Sequence, residues 1–192
     1  MNICVYGASS NAIDKEYILQ GELLGEEMAK RGHSLIYGGG ANGLMGAVAR
    51  GMTKGGGKIV GVAPSFFEVD GVLYDKCTEF VYTDTMRERK QIMEDRSDAF
   101  IMTPGGIGTF EEFFEIMTLK QLARHSKAIA VLNTKGYFDP VDTYLKQITD
   151  GGFMKHESLE LYKFFNGPSA LLDYIEAYIP EKTDINRFKH IG

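Results

Sequence analysis

The sequence is short of the residues that make a small protein easy to classify: its 192 residues include 2 Cys, 5 Pro and no Trp. Two cysteines, Cys4 inside an apolar run and Cys77 far along the chain, cannot build a disulfide framework. Without a CxxC pair or a Cys/His cluster there is no zinc-ligand spacing either, and the usage fits a reducing, cytoplasmic setting. The opening MNICVYGASS has neither the charged nor the apolar region of a secretory signal, and no apolar stretch approaches the roughly 18 to 20 residues that span a bilayer. Positive charge is scarce: 21 Lys+Arg against 26 Asp+Glu give a formal charge of -5, which excludes the basic footprint of a general nucleic-acid binder. Any anion bound here must be held by local features.

What is present is a globular balance, 44% hydrophobic and 24% charged, of a length that suits one domain. Short apolar runs alternate with longer amphipathic segments. Strands are expected at 2–6, 33–37, 58–63, 79–82, 99–103, 128–132 and 161–165, and helices at 13–31, 43–54, 84–96, 109–124, 140–149 and 169–179. Strands apolar throughout, such as AFIM at 99–102 and IAVL at 129–132, suit a parallel sheet covered on both faces. The expected fold is therefore a single doubly wound, Rossmann-like α/β domain over 1–179, with 180–192 as a polar C-terminal tail. In such sheets ligands bind beyond the carboxyl ends of the strands, which directs attention to the glycine loops that follow them.

Three loops qualify. The first, Gly7 to Ser10, follows the first strand and offers Gly7 and Ser9 to a phosphate or sugar, or is a plain turn with a serine cap. The second, GGGANGLMG at 38–46, formally contains GxGxxG, but it lies on the second strand with no acidic residue at 58–64 to bind a ribose, so a nicotinamide site is disfavoured. The third, PGGIGTFEE at 104–112, ends a strand and opens an amphipathic helix, where unpaired amides and the helix dipole would favour a phosphate. A competing explanation is equally specific: Thr109-x-x-Glu112 has the form of a capping box. Upstream, MRERKQIMEDRSD at 86–98 clusters Arg87, Arg89, Lys90 and Arg96, either as a solvated face laced with pairs or as fixed cations for a phosphorylated substrate.

Taken together, YGGGANGLMG at 37–46, MRERKQIM at 86–93, SDAFIMTPGGIGTFEEFFE at 97–115 and Gln121-Leu122 resemble the LONELY GUY family of cytokinin-activating phosphoribohydrolases. The resemblance runs from about Ile3 to Phe165. It implies a Rossmann-like homodimer or higher oligomer that hydrolyses the N-glycosidic bond of a nucleoside 5'-monophosphate, freeing the base and ribose 5-phosphate. The resemblance also assigns roles. Arg89 and Glu112 would be the essential catalytic pair, Lys90 would contact substrate beside Arg89, and Gly105, Gly106, Ile107, Gly108 and Thr109 would hold the phosphate. Thr118 occupies another family contact position, and Gly39, Gly40, Gly43 and Met45 of the second loop, with Gly7 and Ser9 of the first, complete the expected substrate contacts.

An oxocarbenium-like transition state gives Glu112 a chemical task, stabilising charge at the anomeric carbon or activating water, for which no metal or organic cofactor is required. Members are often labelled lysine decarboxylases, yet nothing here suggests a pyridoxal phosphate site. One departure stands out: where plant members carry a substrate-contacting glutamate, GVAPSFFEVDGVLYDK at 61–76 places Gly71, with Glu68 and Asp70 nearby. Phe66, Phe67 and Tyr74 of that segment either stack on a base or pack in the core. Phe113, Phe114 and Met117 exceed what one helix face needs and either pair protomers or belong to the core. The competing function is a non-catalytic carrier of a nucleotide or phosphorylated pterin.

Overall fold

A computed structural model describes residues 1–181 and 184–189. Seven strands, β1 (Asn2–Tyr6), β2 (Ser34–Tyr37), β3 (Ile59–Pro64), β4 (Glu79–Thr83), β5 (Ala99–Met102), β6 (Ala128–Leu132) and β7 (Lys163–Phe165), form one parallel sheet in the order β4-β3-β2-β1-β5-β6-β7. The expected doubly wound sheet is therefore present. The chain moves outward one way from β1 through β2, β3 and β4, then crosses back to lay β5 on the other side of β1. That reversal leaves a crevice beyond the carboxyl ends of β1 and β5, where open α/β sheets bind ligands.

The strands are apolar throughout because each is covered twice. In β1, Ile3 and Val5 face a core completed by Leu24, Met28, Val48 and Leu172, while Cys4 and Tyr6 face Val62, Met93, Phe100 and Phe113 on the other side. Helices α1 (Lys15–Lys30), α2 (Gly43–Lys54) and α6 (Pro168–Ala177) cover the first face, and α3 (Met86–Asp95), α4 (Ile107–Gln121) and α5 (Asp139–Asp150) cover the second. Side chains start two of these helices: Asp14 accepts from the Glu16 amide of α1, and Thr85 from the Glu88 amide of α3.

Of the expected tail, residues 182–183 and 190–192 lie outside the described residues. A last short helix, α7 (Ile185–Phe188), buries Phe188 in the second core, and the Phe188 carbonyl accepts from Ser158.

Helices α1 and α2 approach so closely that glycines form their contact. A Cβ on Gly25 would stand 2.1 Å from the Val48 carbonyl oxygen, and one on Gly51 would stand 2.1 Å from that of Glu22. Both obstacles are backbone and cannot rotate away. In an unconstrained helix Gly→Ala gains about 1 kcal/mol. Here Gly25→Ala is expected to destabilise by roughly 1–3 kcal/mol, the usual range for an overpacked core. Urea unfolding tests this, and a midpoint at or above that of the unaltered chain would contradict the packing described.

Candidate functional site at the sheet's switch point

Backbone hydrogen bonds join the first and third glycine loops. The Ala8 amide donates to the Pro104 carbonyl at 3.0 Å, while Thr103 Oγ1 donates to the Tyr6 carbonyl and fills the space that a side chain on Gly7 would need. The second loop is bound to the first through the start of α2. The Leu44 and Met45 amides both donate to the Ala8 carbonyl, at 2.9 and 3.1 Å, and the Gly43 amide donates to Asn11 Oδ1 at 2.8 Å. Gly43 itself has φ +60, and a Cβ there would meet the Ala8 carbonyl at 2.5 Å. The donors of the second loop's helix are thus already used, which closes α2 as an anion site.

The third loop is open. Helix α4 begins at Ile107 after Gly106, with no side chain capping it, and its first internal bond runs from the Phe110 amide to the Gly106 carbonyl at 3.2 Å. Among the described residues the amides of Ile107, Gly108 and Thr109 have no acceptor, and Ile107 is 88% exposed. The capping box allowed by the sequence does not form. The helix starts two residues earlier than expected, so Thr109 lies within its first turn with its side chain packed against Gly105, and Glu112 sits a turn further in.

Glu112 is held by Arg89 instead. Arg89 Nη1 donates to Glu112 Oε1 at 2.9 Å, with side chains only 8% and 12% exposed. Arg89 Nε donates to the Val62 carbonyl at the end of β3, and Nη2 lies where any side chain on Gly38 would have to be. The guanidinium thus ties α3 to β3 and α4, against the backbone that follows β2. Burial pushes the Glu112 carboxyl above the ordinary carboxylate range, and the neighbouring Arg89 charge only partly offsets it.

These groups line a cavity of about 540 Å³, within the usual range for small-molecule sites. Of the residues expected from sequence, Arg89, Glu112, Gly7, Ser9, Gly40 and Met45 line it, as do Gly106, Ile107, Gly108 and Thr109. Others do not reach its wall. Lys90 is committed to Glu111 and, at 2.8 Å, to Glu115, and Thr118 is exposed further along α4. Gly39 is pressed against Phe80 and Leu73, Gly43 is enclosed by the first loop, and buried Gly105 turns its carbonyl to the Tyr137 hydroxyl at 2.7 Å.

The cavity also has members beyond the residues given substrate roles from the sequence. Asn42 precedes α2 without capping it; its side chain instead accepts from Asn11 and donates to the Gly71 carbonyl. Phe67, Val72, Leu73 and Met86 make an apolar end with Met45. The segment that carries them is bound to the second loop by a Gly40–Leu73 bridge and by the Ala41 amide donating to the Val72 carbonyl. Tyr74 packs against the first core with its hydroxyl on Thr53, and Phe66 is 61% exposed, so of the three aromatic residues there only Phe67 faces the cavity. Phe113 and Met117 belong to the core, which leaves Phe114 alone of that trio on the surface. Among the described residues no cluster of His, Cys, Asp or Glu could hold a metal ion, and no helix is long and apolar enough to cross a membrane.

Residues 45–175 match the family model described as "Possible lysine decarboxylase". A cytokinin riboside 5'-monophosphate phosphoribohydrolase from Mycobacterium tuberculosis is 40% identical over 158 residues, 82% of this chain and 84% of that one. The chain belongs to the LONELY GUY family. Its Arabidopsis thaliana relative, cytokinin riboside 5'-monophosphate phosphoribohydrolase LOG2, is 32% identical over 182 residues, 95% of this chain and 85% of that one. The fold is shared more widely: the molybdenum cofactor carrier protein of Chlamydomonas reinhardtii superposes with a TM-score of 0.68 at 19% identity, over 91% of this chain and 95% of that one.

The buried pair makes a titration prediction. Because burial makes Glu112 harder to ionise than a carboxyl in water, it should titrate above the ordinary 4.5, losing its charge as pH falls through that raised value. Arg89→Met removes the offsetting charge, so it should move the midpoint higher and cost about 3–5 kcal/mol of stability at neutral pH. Carboxyl-labelled NMR titration of both proteins measures this. A midpoint at or below 4.5 in the unaltered chain would contradict the burial described.

Proposed function

We propose that this LONELY GUY family member hydrolyses the N-glycosidic bond of a purine nucleoside 5'-monophosphate, releasing the free base and ribose 5-phosphate. The observation that carries the reading is the Arg89–Glu112 pair on the wall of a cavity that an uncapped helix N-terminus also lines. The names of the relatives support the same reaction.

In this reading the phosphate sits on the amides from Gly106 to Thr109, where the α4 dipole favours negative charge. The ribose then lies over Glu112, and the base enters the apolar end beside Met45, Phe67 and Leu73. As the C1'–N bond breaks, positive charge grows on the ribose and the Glu112 carboxylate stabilises it or takes a proton from the attacking water. The water oxygen bonds to C1', and the departing base nitrogen ends protonated. Arg89 keeps Glu112 ionised and pointed at the ribose, while phosphate binding remote from the reacting bond fixes its geometry.

Adenine nucleotides, with or without an N6 substituent, are the substrates proposed, acted on by a cytoplasmic homodimer. Lys90 and Thr118, which do not line this cavity, take no part in the cleavage step as proposed.

Incubating the protein with AMP and with isopentenyladenosine monophosphate, and separating free base from ribose 5-phosphate, tests the reaction. Base release is expected from at least one nucleotide, with a loss of about 10²- to 10⁴-fold in Glu112→Ala, the usual worth of a positioned acid–base group. Undiminished release by that variant would refute the mechanism. Light scattering tests the dimer, and a monomeric mass would remove it.

A further inference from the structure

The open amides of the third loop need something to aim them, because glycines permit many backbone directions. Gly105 and Gly106 share one peptide unit, in which the Gly105 carbonyl and the Gly106 N–H point in opposite directions. The Tyr137 hydroxyl donates to that carbonyl at 2.7 Å. Gly106 lines the cavity whereas Gly105 and Tyr137 do not, so drawing the carbonyl outward turns the Gly106 N–H inward.

Tyr137 is itself well placed for this. It follows a tight turn, Thr134–Gly136, in which Lys135 and Gly136 have φ of +56 and +69. Asn133 braces the turn: its Oδ1 accepts from the Phe138 amide and its Nδ2 donates to Asp139, both at 2.7 Å. The Lys135 ammonium reaches Asp14, the cap of α1, at 2.6 Å. The Tyr137 ring stands edge-on to Tyr17 of α1, with centroids 6.0 Å apart. A residue outside the cavity lining thus follows a braced turn and packs on Tyr17, with its hydroxyl on the loop that bears the open amides.

We propose that Tyr137 is a positioning residue for phosphate recognition: by holding the Gly105 carbonyl away from the cavity, it presents the Gly106 N–H to the 5'-phosphate of the substrate. This rests on the phosphate placement proposed above. The hydroxyl acts through the loop alone, so its removal should weaken whatever carries the phosphate and leave the chemistry at Glu112 unchanged.

Tyr137→Phe removes the hydroxyl and keeps the ring against Tyr17. Calorimetric titration with ribose 5-phosphate should show affinity reduced on the order of fivefold to tenfold, the worth of one hydrogen bond. KM for the nucleotide should rise by the same factor with kcat and its pH profile unchanged. Tyr137→Ala should share the affinity loss and also lower the melting temperature. If Tyr137→Phe binds ribose 5-phosphate as the unaltered chain does, while Tyr137→Ala does not, ring packing is what matters and the proposal is overturned. A fall in kcat with unchanged KM overturns it as well. Binding of ribose 5-phosphate by the unaltered chain without turnover of any nucleotide would sink the hydrolase reading alone, and no binding at all would sink both.

Discussion

The site depends on one buried ion pair. Arg89 comes from α3 and Glu112 from α4, and their contact also reaches the end of β3 through the Val62 carbonyl and the backbone after β2 at Gly38. Such a pair is a poor investment for stability alone, because taking two charges out of water often costs more than their attraction returns. Its place at the wall of the cavity gives it another use in the proposed reaction: a carboxylate held by Arg89 and aimed at a fixed point. Gly38 is glycine for the same reason, since any side chain would collide with the guanidinium.

Around that pair the three glycine loops divide their tasks. The first two are bound to each other, with the Ala8 carbonyl taking two amides of α2 and Asn11 a third, so the first turn of α2 offers no open amides. The third keeps its donors free and is steadied from outside by Tyr137 and by the Thr109 side chain packed on Gly105. One helix N-terminus of the crevice is therefore closed and one is open, though both sequences look alike as glycine-rich turns into helices.

Element order and the parallel, twice-covered sheet were legible because strands such as AFIM and AIAVL carry no polar alternation. The chemistry was legible mainly through resemblance, since spacing alone left Thr109 and Glu112 divided between a cap and a site. What removed the cap was a helix that begins at Ile107, a start that no side-chain pattern announces. Lys90 illustrates a different limit. On a helix it points about 100° away from its neighbour Arg89, and so it meets Glu111 and Glu115 where Arg89 meets Glu112. Thr118, six residues past Glu112, is turned away around α4 in the same manner. Phe67, Val72 and Leu73 reach the cavity only because their segment bridges back to Gly40, and Tyr137 meets Gly105 across 32 residues, pairings of a kind that local periodicity does not encode.

The measurement that bears most directly on this account is a crystal structure of Glu112→Gln with AMP bound, the substitution keeping the shape of the side chain while removing its charge. The phosphate is expected on the amides of Gly106 to Thr109, C1' beside the residue-112 side chain and the base against Phe67 and Leu73. A phosphate seated at the start of α2, or a ribose turned away from residue 112, would contradict it.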